Sequence, residues 1–203
     1  MKLIYKGKFE DYDSLPKADL PKNAVKFDEP ETIEGIVQEA KRYFVPLLVI
    51  IGDVIIFKWI FMQTFSLDFL GLALGLFLTL PFLVVHELLH ALSFPLKTEV
   101  YLYQALKKGV LFVTSTAPLK KSRFIVMSLL PMVVLGLIPL FWWIFILDSF
   151  YSSLVLGLSV PMLLGGAGDL YNVVNTLLQV PRGAFIQLSG INSYWYLEEK
   201  EEC

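Results

Sequence analysis

The sequence predicts an α-helical multi-pass membrane protein. It has four transmembrane helices, a cytoplasmic N-terminal extension and a β-hairpin loop between helices 2 and 3. Three observations carry this prediction. Of the 203 residues, 56% are hydrophobic and 18% are charged, an apolar excess over ordinary soluble domains. Four apolar segments approach the roughly 20 residues that cross a bilayer. Lysine and arginine are missing from the two short turns between these segments, which indicates an orientation in the membrane.

Residues 1–44 form the polar cytoplasmic extension at the N-terminus. Short strands are expected at Lys2–Tyr5 and Ala24–Phe27, followed by a helix from about Glu31. Because its apolar residues recur on one face, this helix is amphipathic, and we expect it to lie along the membrane surface or to pack on the core. The residues of that face are Ile33, Ile36, Val37, Ala40 and Phe44.

The four apolar segments cover residues of about 45–65, 67–92, 123–147 and 151–180. Very short turns join the first segment to the second and the third to the fourth, so each pair predicts a helical hairpin. We therefore assign residues 45–182 to a membrane domain and residues 183–203 to a cytoplasmic C-terminal tail. Lys58 lies toward the outer end of the first span, and its head group is expected to reach the surface.

The positive charges predict the orientation of the spans. Eight lysines or arginines lie in residues 1–44 and six in the loop 93–123. By the positive-inside rule, both termini and this loop face the cytoplasm. We expect a protein of the cell membrane that contacts the lipid bilayer. The net charge of −2 gives no reason to expect a nucleic acid partner.

The long loop contains two stretches rich in β-branched and aromatic residues, TEVYLYQAL and VLFVTSTAP. Lys107, Lys108 and Gly109 separate them, a pattern typical of a β-hairpin. This hairpin is either a plain structural connector or a surface that binds an extended substrate by adding a strand.

The motif HELLH, at residues 86–90, contains both histidines of the chain. His86 and His90 are one helical turn apart, so they point the same way and can both bind Zn²⁺. Glu87 can then take a proton from a zinc-bound water. Charged groups within a span cost at least about 2.5–3.5 kcal/mol each on insertion scales and usually mark functional sites or internal pairs. The motif therefore indicates a zinc site rather than polar residues satisfied within a core.

A catalytic zinc site needs a third protein ligand, and two aspartates lie at a suitable depth. At about 1.5 Å per residue, His86 lies roughly 28 Å along its helix from the outer turn, and Asp169 lies roughly 27 Å along its own. Glycines in LLGGAGD precede Asp169, and they let backbones approach closely or break the helix. Asp53, about 12 Å in from the cytoplasmic end of the first span, is the rival ligand, a carboxylate that orients a histidine, or a capped polar residue that faces water. We favour Asp169.

Two asparagines follow Asp169 on the last span. Asn172 shares a helix face with it at i+3, and Asn175 comes one turn later. They either hydrogen-bond Asp169, hold a substrate backbone, or simply join helices within the bundle.

These motifs resemble a family of membrane proteins, the "putative zincin peptidases", which is more distantly similar to site-2 proteases. The resemblance covers most of the chain and includes MKLIYKGKF, the EP before the amphipathic helix, HELLHAL, SLLP, GDLYN and PRGAFIQLSG. It implies that His86 and His90 are zinc ligands, that Glu87 is the catalytic base, and that Asp169 matches an aspartate on a later helix. The sequence departs from the site-2 pattern, since Leu170 follows this aspartate in place of glycine and the asparagine–proline element is reduced to Pro161.

The leading hypothesis is an intramembrane zinc metallopeptidase that cuts a membrane-embedded or membrane-proximal peptide near the cytoplasmic half of the bilayer. Glu87 would activate a zinc-bound water and later pass the proton to the leaving amine. One alternative is a zinc-dependent membrane hydrolase of a non-peptide substrate, such as a lipid-linked amide or ester. Another is a non-catalytic metal-binding scaffold protein, in which HELLH only ties helices together.

Overall fold

The structure is a computed structural model that describes residues 1–63, 65–105 and 110–198. Its α-helices are α1 (Ile33–Ala40), α2 (Phe44–Phe57), α3 (Phe69–Leu92), α4 (Lys121–Pro131), α5 (Ile138–Trp143), α6 (Ser149–Gly165) and α7 (Ala167–Gln179). Its strands are β1 (Lys2–Lys8), β2 (Val25–Lys26), β3 (Glu99–Ala105), β4 (Val110–Thr114), β5 (Leu119–Lys120), β6 (Phe185–Ser189) and β7 (Asn192–Tyr196).

Among the described residues, four helical runs are long and apolar enough to cross a membrane: Ile33–Met62, Phe69–Leu92, Lys121–Trp143 and Ser149–Gln179. This confirms the predicted number of apolar helices and their approximate positions. Large apolar side chains point outward from them, and Phe69, Phe77 and Trp142 expose 87%, 65% and 64% of their surface. Exposed apolar surface on this scale is typical of a face that another apolar phase covers.

The helical runs differ from the sequence expectation in two places. The amphipathic helix α1 is not a separate element, because a tight 3₁₀ turn at Lys41–Tyr43 continues it directly into α2. The last run is divided at Gly166 into α6 and α7. A Cβ atom at Gly166 would lie 2.8 Å from the Cβ atom of Met132. The absence of a side chain at Gly166 therefore allows the run following α4 to pack against this break.

The strands form two sheets in the described part of the chain. In the first, of order β1-β3-β4, β1 is parallel to β3 and β3 is antiparallel to β4, with Tyr101 opposite Thr114. The predicted hairpin is therefore confirmed in its two strands, while its turn residues 106–109 lie outside the described residues.

The second sheet contains strands from three distant parts of the sequence, in the order β2-β7-β6-β5. Residues 183–203 were expected to be a tail, but the structure folds 185–196 into the antiparallel pair β6–β7. Gly190, with a φ of +64°, makes the turn between these strands. The strand β2 pairs with β7, so this sheet joins the N-terminal extension to the end of the chain.

Glycines hold α3 and α6 in very close contact. A Cβ atom at Gly75 would lie 2.2 Å from the carbonyl oxygen of Leu154, and one at Gly157 would lie 2.6 Å from that of Leu72. Gly71 precedes Gly75 by one turn on the same face, the small-residue spacing that lets membrane helices pack backbone against backbone. This contact sets the distance between the helix that carries HELLH and the run that leads to Asp169.

We expect Gly75→Ala to destabilise the protein by about 1–3 kcal/mol, because the added methyl group meets a backbone carbonyl that cannot rotate away. Gly52→Ala is the matched control, since a Cβ atom there has nothing within 4 Å and alanine favours a helix by up to about 1 kcal/mol. Unfolding in detergent micelles measures both variants. Equal free energies of unfolding for the Gly75→Ala and Gly52→Ala proteins would contradict the close contact between α3 and α6.

Lys58 is buried, with 1% of its surface exposed. Its Nζ atom donates hydrogen bonds to the carbonyl oxygens of Trp143 (2.9 Å) and Ile146 (2.7 Å) and to the Ser152 hydroxyl (3.0 Å). It also lies 4.2 Å from the centre of the Trp143 ring. The expectation that Lys58 reaches the surface is therefore wrong, because carbonyl groups at the end of α5 and just beyond it, together with the Ser152 hydroxyl, satisfy its ammonium group inside the bundle.

Candidate metal centre

Two helices bring the residues of the site together. The last two turns of α3 carry His86, Glu87 and His90, and the first turn of α7 carries Asp169. Both histidines project from one face of α3, as the four-residue spacing requires. Because α7 starts immediately after the break at Gly166, Asp169 lies beside that face.

The three predicted ligands form one compact group. The Nε2 atom of His86 lies 3.1 Å from Oδ2 of Asp169, and the Nε2 atom of His90 lies 3.1 Å from Oδ1. The two Nε2 atoms are 3.2 Å apart. One ligand atom from each residue lies within 4.8 Å of the others, and all three residues are buried. The sequence predicted this proximity, because His86 and Asp169 lie at matching heights along their helices although they are about 80 positions apart in the chain.

Several observations indicate that the group fits a divalent metal ion. Two imidazole nitrogens and a carboxylate are ligands that zinc accepts, and three protein ligands leave a coordination position open. Among the described residues, the buried Oδ2 atom of Asp169 has only the Nε2 atom of His86 close to it and no other polar partner, so a cation between the two atoms would satisfy both. The Nδ1 atom of His90 lies 2.8 Å from the carbonyl oxygen of Met127. Since a carbonyl can only accept, Nδ1 carries a hydrogen, and in the neutral ring this leaves the Nε2 lone pair for a metal ion.

Glu87 is held beside this group by the hairpin. Its Oε2 atom accepts a hydrogen bond of 2.9 Å from the backbone N–H of Val113 on β4. This contact orients the carboxylate and leaves its other oxygen for a proton. The motif indicated the importance of Glu87, but the backbone partner on a distant strand left no signal in the sequence.

A cavity of about 530 Å³ reaches this group, and the N-terminal extension, β4 and β7 all contribute residues to its wall. Apolar side chains form most of its wall, including Ile33, Val37, Phe94, Phe112, Leu164 and Ile191. Polar groups reach it at a few positions, among them Glu29, Glu87, His90, Asp169, Asn172 and Ser193. A mostly apolar pocket with a few convergent polar groups is typical of a site for a small molecule or a peptide segment.

The remaining predicted site residues lie in different places. Asn172 lines the cavity. Among the described residues, the buried Nδ2 atom of Asn175 has no hydrogen-bond partner, and Asn175 is not one of the residues found in the cavity wall. The structure does not bring Asp53 to the group, because its side chain is exposed on the outer face of α2.

Sequence reasoning assigned no role to three groups that the structure places around the site. Glu29 belongs to the EP that contributed to the family resemblance, and this dipeptide was the available signal. The carbonyl group of Met127 and the N–H group of Val113 are backbone groups, and their positions depend on how α4 and β4 pack. No residue-type pattern could have identified them.

Comparisons with known proteins give one match. A family model described as "Putative zincin peptidase" matches residues 76–185, just over half of the chain. The matched range contains HELLH, the hairpin and Asp169. The searches of curated proteins and of solved structures returned no match. The chain therefore belongs to the "putative zincin peptidase" family.

Proposed function

We propose that the protein is an intramembrane zinc metallopeptidase that hydrolyses peptide bonds near the cytoplasmic half of the cell membrane. The observation that carries this proposal is the convergence of His86, His90 and Asp169 in one group, next to a cavity whose wall includes His90, Asp169 and Glu87. The family description supports peptidase chemistry.

The membrane location is supported by the four apolar helical runs and by the charge pattern. By the positive-inside rule, the lysines and arginines of the extension and of the loop support a cytoplasmic location for both termini. His90 is two residues from the end of α3, and this end leads into the positively charged loop. The site would therefore open near the cytoplasmic surface, where water and a substrate segment can both reach it.

The proposed mechanism divides the chemistry between the ion and the chain. His86, His90 and Asp169 would hold zinc, which acts as a Lewis acid that polarises a carbonyl group and makes water more acidic. Glu87 accepts a proton from the attacking water and returns it to the leaving amine. The N–H group of Val113 holds the carboxylate in place during both transfers, and the Met127 carbonyl group holds the His90 ring.

The strand β4 offers a way to bind an extended substrate. Its residues Val110 to Thr114 all line the cavity, and in the described residues β4 pairs with β3 alone. A peptide in extended form can add to such an edge through backbone hydrogen bonds, which also keeps the scissile bond unwound. We propose that the substrate lies along β4 with its carbonyl group toward the metal centre.

The test is hydrolysis by the purified protein in vesicles, before and after metal removal. We expect cleavage of membrane-derived peptides, its loss after treatment with a chelator, and its recovery when zinc is restored. Matched lipid-linked esters and amides serve as the comparison. Hydrolysis of these compounds without peptide cleavage would favour the non-peptide hydrolase, and a folded, zinc-loaded protein that cleaves neither class would favour the scaffold.

A further inference from the structure

The wall of the cavity carries an excess of acidic side chains. Glu29, Glu87 and Asp169 all line it, and the described lining residues include no lysine or arginine. The proposed mechanism accounts for Glu87 and Asp169, which lie at the metal centre. It leaves Glu29 without a role, although a carboxylate in a mostly apolar cavity is costly when no cation accompanies it.

The chain holds Glu29 in place from two directions. Its carboxylate accepts a hydrogen bond from the N–H group of Ser193 on β7, and the N–H group of Phe27 donates to the Ser193 carbonyl oxygen (2.9 Å). Next to it, the side-chain oxygen of Gln179 accepts from the N–H group of Asp28 (2.7 Å), and the side-chain nitrogen donates to the Asp28 carbonyl oxygen (3.2 Å). Since Gln179 ends α7, the segment of Glu29 is attached to the helix that carries Asp169.

No cation of the described chain neutralises Glu29 within the cavity. Lys26, on the adjacent strand, makes its salt bridge with the exposed Glu31. Burial raises the pKa of the Glu29 carboxyl group to about 7, although the hydrogen bond from Ser193 and the charge of Lys26 oppose this rise. A cation entering the cavity would find an acidic group that is already positioned and has no salt-bridge partner among the described residues.

We propose that Glu29 is a specificity residue that binds a cationic nitrogen group of the substrate, either a lysine or arginine side chain or a free N-terminal amine. The inference rests on the proposed peptidase function. The apolar cavity wall suits the aliphatic stem of such a side chain, while its charged end reaches Glu29. The same carboxylate would discriminate against an acidic group at this position through like-charge repulsion.

The test uses the zinc-loaded protein and one peptide that it cleaves. Each position near the scissile bond is occupied in turn by lysine, acetyl-lysine or norleucine, and each peptide is prepared with a free or an acetylated N-terminus. We expect lysine at one position, or the free N-terminus, to raise kcat/KM about tenfold through a lower KM. The two arms of the series identify which of the two amines binds.

Variants then assign the preference to Glu29. Glu29→Gln keeps an oxygen that can accept from Ser193, so it should fold, and we expect it to lose the preference and to cleave the charged and the neutral peptides with similar kcat/KM. Glu31→Gln, an equal change of charge at an exposed neighbouring position, should retain the preference. Retention of the preference by a folded Glu29→Gln protein would overturn the inference.

If Glu29→Gln does not fold, the peptide series with the wild-type protein still tests the role of Glu29. Equal cleavage of the lysine and acetyl-lysine peptides, together with equal cleavage of free and acetylated N-termini, overturns the role of Glu29 and leaves the peptidase function intact. Failure to cleave any peptide overturns the proposed function itself. The two failures are therefore distinguishable.

Discussion

Replacement of Asp169 by alanine is expected to weaken zinc binding by more than about 100-fold and to abolish peptide hydrolysis. Loss of a group that merely orients a ligand costs 10–100-fold in metal affinity, and Asp169 contacts both histidines directly. Its removal leaves two imidazole rings as ligands and takes away the negative charge that would offset the ion. Metal analysis after dialysis against a zinc buffer measures the effect.

Asp53→Ala is the control for this experiment, because it removes an aspartate of the membrane domain whose side chain is exposed on α2. This variant should retain zinc at the level of the unmodified protein. An unchanged zinc content in the Asp169→Ala protein would contradict the assignment of Asp169 as a metal ligand. Loss of zinc from the Asp53 variant would return Asp53 to the site as the rival ligand.

Glu87→Gln is expected to lower kcat by about 10²–10⁴-fold, the usual contribution of a positioned general base. Zinc content and thermal stability should stay near those of the unmodified protein. Glutamine fills the same space, and its side-chain oxygen can still accept the hydrogen bond from Val113. The measurement is turnover of a cleavable peptide by the zinc-loaded variant.

Glu99→Gln makes the equivalent change on β3, at a partly exposed side chain paired with Lys2. We expect its turnover to match that of the unmodified protein. A Glu87→Gln protein that keeps its zinc and also keeps full activity would exclude a role for Glu87 in proton transfer. If Glu87→Gln lost its zinc as well, Glu87 would have to be placed among the groups that hold the metal.

The sequence predicted the parts of the fold that depend on local composition. Apolar runs of sufficient length identified the four helical spans, and β-branched and aromatic residues identified the strands β3 and β4. HELLH predicted two ligands on one helix face, because that relation depends only on the helical repeat. The strands β6 and β7 were missed, since a short hairpin in a terminal segment carries no signal comparable to an apolar run.

The contacts between distant segments could not be predicted from local sequence patterns, because they depend on how the helices and sheets pack. Helix periodicity placed both Asp169 and Asp53 near the depth of the histidines, but it gave no information on which way each helix is rotated. The glycine contact between α3 and α6 and the break at Gly166 turn Asp169 toward His86 and His90, while Asp53 faces outward. Burial of Lys58 likewise required the carbonyl groups of another helix.

The sequence alone established the apolar helices, the hairpin strands and the histidine pair, because each of these is encoded within one short segment. The tertiary structure decided which groups surround this pair. They are Asp169 next to the histidines, the N–H group of Val113 that donates to Glu87, and Glu29 in the wall of the same cavity. These groups lie between about 25 and 85 residues from HELLH in the chain. Their distances in space follow from how helices and sheets pack, which no local pattern of residues records.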